Sequence, residues 1–278
     1  MPREQSEPPT GEVSAQRGAI DTHTHLNHPR LVRRLAQVLA RARLAGVGEM
    51  IVVGYDLPSS ELAVELAEHH RELWAAVGVH PHDAGGIDQD TFGRLRDLAR
   101  SEAVVAIGET GFDFHRDLSP RESQVAAVQS HLALAWELDL PVILHCRAAQ
   151  ETLLDIVSEC RGKPSGGTSK LVWHCFDGTG EHAARALDLG MALGLGGMLT
   201  YEKSEGLRRV AAELPADRIL LETDCPYLTP QPRRGRDNEP ANLAIIAECA
   251  ARLRGESKHQ VEENTSQNAR RILRLGKK

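Results

Sequence analysis

The chain has 278 residues, of which 41% are hydrophobic and 26% charged, a composition typical of a globular protein with one large core. Its net charge of −6 excludes a protein that holds nucleic acid through a broad basic surface, so a polyanion must be bound locally by metals and a few arginines. No apolar run approaches the roughly 20 residues that a transmembrane helix needs.

The N-terminal segment has no apolar signal-peptide core, which predicts a cytoplasmic location. Residues 1–17 are rich in Pro, Glu, Ser and Gln and are expected to form a flexible arm before a domain at 18–278. Five cysteines without a CxxC pair indicate neither a disulfide framework nor a zinc knuckle. Cys146, Cys175 and Cys225 each follow a candidate ligand, and strand alternation predicts that their thiols pack behind the sheet.

Short apolar runs alternate with longer amphipathic runs along the chain, which predicts eight strand–helix pairs and a closing helix. The predicted strands, in chain order, are 18–23, 49–54, 73–79, 103–108, 141–145, 171–174, 191–195 and 218–222. The predicted helices are 29–44, 59–70, 90–100, one opened by a capping box at Ser119-Pro120-Arg121-Glu122, 150–160, 179–189, 204–214, 241–253 and 257–275. A loop rich in Gly, Ser and Lys is predicted at 161–170.

Eight such pairs, with strands apolar on both faces, predict a single-domain α/β fold, the (β/α)8 TIM barrel. The main competitor is a doubly wound open sheet. That fold normally carries a glycine-rich fingerprint after the first strand, where this chain has Asp21-Thr-His-Thr-His25.

Candidate metal ligands recur where the predicted strands end. They are His23 and His25 after strand one, His80 and His82 after strand three, Glu109 after strand four, His145 after strand five, His174 after strand six and Asp224 after strand eight. In a barrel all these positions lie at the C-terminal mouth, where active sites are built. The other seven histidines are interpreted as packing or solvated residues, and for His82 the two readings are balanced, because Pro81 interrupts the strand.

Four imidazoles and two carboxylates suit two divalent ions better than one, because a carboxylate can bridge metals. We assign His23, His25, Glu109 and Asp224 to one ion. Glu109, His145 and His174 are assigned to the other ion, so that Glu109 bridges the two. The nitrogen-rich set favours Zn or Mn, with Mg in a looser site. Asp224 is also expected to orient or deprotonate the attacking water.

These motifs together resemble the TatD family of metal-dependent deoxyribonucleases. The resemblance spans about residues 18–275 and rests on the motifs Asp21–Leu26, Gly78–His82, Gly108–Asp113, Pro141–Arg147, His174–Phe176, Glu222–Tyr227 and Arg234–Pro240. It implies an amidohydrolase-type TIM barrel, a divalent-metal centre and hydrolysis of phosphodiester bonds in DNA, with the ligands assigned above and His80 as a contact to the substrate phosphate. Ala148 and Asp177 depart from the family pattern at positions that bear on substrate preference, since neither is a ligand.

The resemblance predicts a nuclease of the exonuclease type that acts on DNA ends or single strands, with no membrane and no obligate protein partner. Arg147, Arg234 and Arg236 are candidates to bind phosphate oxygens, and Arg233 is interpreted as solvated. The alternatives are hydrolysis of D-aminoacyl-tRNA and amidohydrolase action on C–N or ester bonds. Glu109 stands where many such amidohydrolases carry a carbamylated lysine, which counts against the second alternative. A catalytically silent binding protein is disfavoured because no ligand position is substituted.

Overall fold

The computed structural model describes residues 18–161 and 170–276. The predicted N-terminal arm, 1–17, and most of the predicted loop at 161–170 lie outside the described residues. Eight parallel strands form one sheet whose order follows the chain, which confirms the predicted TIM barrel. None of the described helices is both long enough and apolar enough to cross a membrane.

The strands and helices alternate along the chain. The strands are β1 Ala19–Thr24, β2 Val47–Val53, β3 Leu73–Val77, β4 Val104–Asp113, β5 Val142–Arg147, β6 Leu171–Trp173, β7 Ala192–Leu195 and β8 Ile219–Leu221. The helices are α1 Pro29–Val32, α2 Leu35–Leu44, α3 Leu57–His69, α4 Gln89–Leu98, α5 Arg121–Leu138, α6 Gln150–Arg161, α7 Gly180–Asp188, α8 Glu205–Glu213, α9 Leu243–Arg254 and α10 Lys258–Ile272.

Three local predictions were wrong. The helix predicted at 29–44 is divided into α1 and α2, because Arg34 between them leaves the helical region (φ −128°, ψ 25°). The fourth strand does not end at Gly108 but runs to Asp113, so Glu109 lies inside β4. Ser119 does not cap α5, because Pro120 occupies the N-cap position and the Ser119 hydroxyl donates to the His82 carbonyl instead.

The barrel closes between its first strand and the segment after its last. Thr24 forms a parallel bridge with Cys225, and the His25 amide donates to the Cys225 carbonyl. The Asp224 amide donates in turn to the His23 carbonyl. This pairing brings the histidines of β1 beside Asp224, although about 200 residues separate them in the chain.

Strand alternation divides the apolar core into two parts. Ile20, Ile51, Trp74, Ile143 and Leu220 point into the barrel, and the end of α10 packs against the same cluster. Their neighbours on each strand pack outward against the surrounding helices. The apolar residues fill the lower part of the barrel interior, and the active sites of this fold are built at the C-terminal mouth.

Candidate metal centre

A cavity of about 860 Å³ opens at the C-terminal ends of the strands. The predicted side chains that line it are His25, His80, Glu109, His145, His174 and Asp224, with Arg147 higher on its wall. His23 lies beneath them and has no exposed surface. All six predicted metal ligands therefore meet at one place in the fold.

His23 in β1 and His25 just after it both contribute to the first predicted metal group. The His25 ring is oriented by its Nδ1, which lies 3.0 Å from the Val53 carbonyl oxygen. Its Nε2 consequently faces Asp224 Oδ1 at 3.3 Å, and His23 Nε2 lies 3.9 Å from the same oxygen. These three residues form a group whose potential ligand atoms all lie within 4.8 Å of one another.

Glu109 lies between the two predicted metal groups, and its two oxygens face different pairs of imidazoles. Oε1 is 2.8 Å from His145 Nδ1 and 3.0 Å from His174 Nε2. Oε2 is 3.4 Å from His23 Nε2 and 3.7 Å from His25 Nε2. This is the arrangement expected of a carboxylate that bridges two cations.

Gly111 allows β4 to approach β5 closely beside this carboxylate. Its φ of 151° lies in a region that residues with side chains rarely adopt, and an added Cβ would lie 1.9 Å from the His145 carbonyl oxygen. Because Gly111 pairs with His145 in the sheet, the glycine holds Glu109 and His145 in neighbouring positions.

Asp224 is positioned by two hydrogen bonds that its chain neighbour Thr223 donates to the buried Asp21. Thr223 donates to Asp21 through both its hydroxyl (2.6 Å) and its amide (2.9 Å), and Asp21 has no exposed surface. Burial raises the pKa of Asp21 to about 8 despite these bonds. The Asp224 backbone is left-handed (φ 55°), a conformation that Asp tolerates better than most residues.

The imidazoles keep the two predicted ligand carboxylates ionised. Burial opposes ionisation of Glu109, but the nearby His174, His23 and His80 hold its pKa well below the usual range. Burial likewise opposes ionisation of Asp224, and the hydrogen bond from His25 outweighs it and lowers the pKa. Burial and the neighbouring His174 lower the pKa of His23, which favours the neutral ring that binds metals.

The site has the character of a cation site rather than a packed core. Both ring nitrogens of His23 and the Nε2 of His145 are buried, and none of the three atoms forms a hydrogen bond with a described residue. The His23 and His174 rings stack with centroids 3.8 Å apart. Buried polar atoms normally find partners, and clustered imidazole nitrogens with carboxylate oxygens are ligands for Zn or Mn. The residues therefore fit a divalent-metal centre.

The predicted phosphate-binding residues are found in two different settings. Arg147 and His80 line the cavity, and His80 Nε2 is 3.8 Å from Glu109 Oε1. Arg234 and Arg236 are exposed on the loop after β8 and are absent from the described cavity lining. The guanidinium of Arg234 instead lies over the Tyr201 ring, 4.6 Å from its centroid.

Sequence reasoning did not single out several residues of the cavity wall. Arg30, Arg116, Tyr55 and Tyr227 all line the mouth. Arg30 is the second residue of α1 and Arg116 follows β4, and nothing in the local pattern of either position distinguishes it from a solvated arginine. Their place in the site depends on the path of the loops.

Asp113 was also not assigned a role, although its motif was noted. Its Oδ2 lies 2.7 Å from His82 Nε2 and 3.9 Å from His145 Nε2, so it connects both rings. This places His82 at the cavity wall rather than in a purely structural role. The sequence did contain a signal for Asp113. Side chains two residues apart in a strand point to the same face, so residues 109, 111 and 113 share one face of β4.

The cysteine prediction holds for two residues and is wrong for the third. Cys146 and Cys225 are buried in the outer apolar layer, although Cys146 also borders the cavity. Cys175 is only half-buried and lines the cavity, because its left-handed backbone (φ 50°) ends the strand alternation. All five cysteines are free, as expected without a disulfide framework.

The closed barrel and its buried histidine–carboxylate cluster define the class of metal-dependent hydrolases built on a TIM barrel. The family model described as TatD related DNase matches residues 20–274. The chain therefore belongs to the TatD family, as its motifs predicted.

Relatives across nearly the whole chain agree with this. An "uncharacterized metal-dependent hydrolase", YabD of Bacillus subtilis, is 37% identical, with 92% of this chain and 99% of the relative covered. The "3'-5' ssDNA/RNA exonuclease TatD" of Klebsiella pneumoniae is 40% identical over 91% of this chain and 97% of the relative. The crystal structure of the Escherichia coli TatD homolog YJJV superposes with a TM-score of 0.86 at 30% identity, covering 93% and 98% of the two chains.

Proposed function

We propose that the protein is a divalent-metal-dependent exonuclease that hydrolyses phosphodiester bonds at the ends of single-stranded DNA. The observation that carries the proposal is Glu109, whose two oxygens each face a separate pair of imidazoles at the floor of the cavity. Membership of the TatD family and relatives named 3'-5' ssDNA/RNA exonucleases support a nucleic acid substrate and favour attack from the 3' end.

Two metal ions are proposed, with the ligands assigned from the sequence. His23, His25 and Asp224 would hold one ion and His145 and His174 the other, with Glu109 a ligand common to both groups. When bound, such ions supply Lewis acidity to the phosphate and lower the pKa of water. Zn and Mn suit this nitrogen-rich set, and Mg is the harder alternative.

The chain's own residues supply the remaining chemistry. Asp224 is ionised and lies on the wall of the cavity, so we propose that it accepts the proton of the attacking water. His80 and Arg147, with Arg30 and Arg116 at the rim, are proposed to bind the phosphates. The three arginines supply local positive charge at the point where a polyanion must enter a chain whose net charge is −6.

The rim also suits unpaired bases. Tyr227 is 45% exposed at the cavity mouth, where its ring meets the His25 and His28 rings edge to face. Tyr55 lines the same wall. Aromatic faces bind bases by stacking, and only unstacked bases of a single strand or a frayed end present their faces.

The remaining predictions complete the proposal. We propose a cytoplasmic location, which the five free cysteines support, and a single hydrolase domain over residues 18–278. No obligate protein partner is proposed. The comparisons do not favour D-aminoacyl-tRNA or amide hydrolysis, because the relatives that carry a named activity are nucleases.

The test is an activity panel on metal-loaded full-length protein. Single-stranded DNA labelled at either end, double-stranded DNA, RNA, D-aminoacyl-tRNA and simple amides are incubated separately with Mn²⁺, Zn²⁺ or Mg²⁺. We expect release of mononucleotides from single-stranded DNA, with the 5'-labelled strand shortened stepwise. Hydrolysis of amides or aminoacyl-tRNA without any phosphodiester cleavage would overturn the proposal.

A further inference from the structure

Glu222 is a buried carboxylate just after β8 that neither predicted metal group includes. It has no exposed surface. Its Oε1 accepts a hydrogen bond from the Cys175 amide and lies 3.2 Å from His174 Nδ1, a buried atom that forms no hydrogen bond with any described residue in this structure. In the described part of the chain, no lysine or arginine forms an ion pair with it.

Burying a carboxylate costs desolvation free energy that its polar partners must offset. A buried carboxylate that lacks polar partners costs several kcal/mol by order of magnitude, and no described residue forms a hydrogen bond with Glu222 Oε2. The imidazole that faces Glu222 is that of His174, whose opposite nitrogen, Nε2, lies 3.0 Å from Glu109 Oε1. One ring therefore joins Glu222 on one side to the proposed metal-bridging carboxylate on the other.

We propose that Glu222 is a positioning residue that accepts the Nδ1–H of His174 and so directs the Nε2 lone pair toward the second metal. The inference rests on the proposed function, because it assumes that His174 is a metal ligand. A carboxylate behind a ligand histidine fixes the tautomer and ring orientation, and its loss typically costs about 10–100-fold in metal affinity. His25 is oriented in the same way by the Val53 carbonyl.

Gly194 on β7 supplies independent support. A Cβ added at this position would lie 2.3 Å from Glu222 Oε2 and 2.7 Å from its carboxyl carbon. The glycine therefore provides the space that Glu222 occupies. Gly194→Ala is expected to displace the carboxylate without touching any proposed metal ligand.

The experiment measures metal binding rather than catalysis. Metal-free full-length protein is titrated with Mn²⁺ by calorimetry for the wild type, Glu222→Leu, Glu222→Gln and Gly194→Ala. Gly206→Ala is the matched control, because no atom lies within 4 Å of a Cβ added at position 206. We expect a 10–100-fold weaker affinity in Glu222→Leu and Gly194→Ala. Glu222→Gln recovers most of the affinity, because an amide oxygen still accepts from Nδ1–H, and the control binds like the wild type.

A second readout covers variants that fail to fold. In Zn²⁺-loaded wild type, nitrogen NMR of His174 is expected to show the proton on Nδ1, and the Nε2–H tautomer would overturn the inference. Wild-type affinity in both Glu222→Leu and Gly194→Ala would do the same, as would equal losses in the Leu and Gln variants. If the wild type binds Mn²⁺ and the variants behave as expected but DNA is not cleaved, the proposed function fails and the role of Glu222 stands.

Discussion

Glu109 determines how the candidate site is arranged. It is 2% exposed, and imidazoles surround both of its oxygens. Removing it leaves His23, His145 and His174 close together without the negative charge that offsets two cations. The side chain is therefore more important to the centre than any single histidine.

Glu109→Ala is expected to lose most bound metal and nearly all nuclease activity. Elemental analysis of desalted, metal-loaded protein measures the metal content, and cleavage of single-stranded DNA measures activity. Glu213→Ala, which removes an exposed carboxylate at the end of α8, is the control and should match the wild type. Retention of two ions per chain in Glu109→Ala would refute the bridging role.

His131 on α5 shows how one buried histidine supports the strand ends around the site. Its Nδ1 lies 2.7 Å from the Ala127 carbonyl oxygen, and its Nε2 accepts from the Val79 amide at 3.1 Å. A neutral ring satisfies both contacts. Burial lowers the pKa of His131 from 6.5 to about 4.

This lowered pKa predicts a loss of stability in acid. The contribution of His131 is complete above pH 6.5 and is lost as the pH falls toward 4, because the unfolded chain takes up a proton that the folded chain refuses. The loss amounts to about 3 kcal/mol. In metal-free protein, urea unfolding should show that the stability gap between the wild type and His131→Gln narrows over this pH range. His115→Gln, at an exposed position, should parallel the wild type, and a constant gap for His131→Gln would contradict the prediction.

Among the elements, β1 and the segment after β8 matter most, because their junction closes the barrel and assembles one metal group. The Thr223–Asp21 hydrogen bonds join them from inside, and the Thr24–Cys225 bridge joins them along the backbone. Without this junction nothing would hold His25 and Asp224 within contact distance of each other.

Thr223→Val is expected to destabilise metal-free protein by roughly 1–3 kcal/mol, because it leaves the buried Asp21 carboxyl with one fewer partner. Urea unfolding in the presence of a chelator measures the change. Thr265→Val is the matched control. Thr265 is also a buried hydroxyl, but it donates only to carbonyls of its own helix, so a smaller effect is expected. Equal losses of unfolding free energy in the two variants would show that the Thr223–Asp21 hydrogen bonds contribute no more than an ordinary buried hydroxyl.

For the molecule as a whole, charge distribution matters more than net charge. The chain carries −6 overall, yet Arg30, Arg116 and Arg147 all lie at the cavity. Substrate attraction should therefore depend on a few local contacts rather than on a general field.

Arg147→Ala is expected to raise KM for single-stranded DNA several-fold and to reduce the slope of log affinity against log salt by about 1, because one phosphate contact is lost. KM measured between low and moderate salt tests this. Arg233→Ala, on the exposed loop, is the control.

The same assay tests whether Arg236 binds a substrate phosphate. Unchanged activity and salt dependence in Arg236→Ala would reject the predicted phosphate contact, and an unchanged slope in Arg147→Ala would reject that of Arg147.

The local sequence was sufficient to predict the barrel fold and to select the candidate ligand histidines. Alternating apolar and amphipathic runs record the two periods of strand and helix, and a polar residue at the end of an apolar strand is conspicuous because burial penalises it. The motifs around His23, Glu109, His145, His174 and Asp224 could therefore be recognised before any coordinates. The division of the first predicted helix at Arg34 and the length of β4 could not be recognised from the sequence, since both depend on packing against neighbouring elements.

Other features depend on contacts between residues far apart in the chain. Arg116 and Tyr227 reach the mouth, and Arg234 and Arg236 stay outside it, because of the paths that loops take over the barrel rim. Glu222 acquires its role from His174 and Gly194, which belong to other strands. Chain periodicity specifies which face of an element is polar. Which polar groups then meet is decided by the closure of the sheet, which joins β1 to β8 and leaves Glu109 between two pairs of imidazoles.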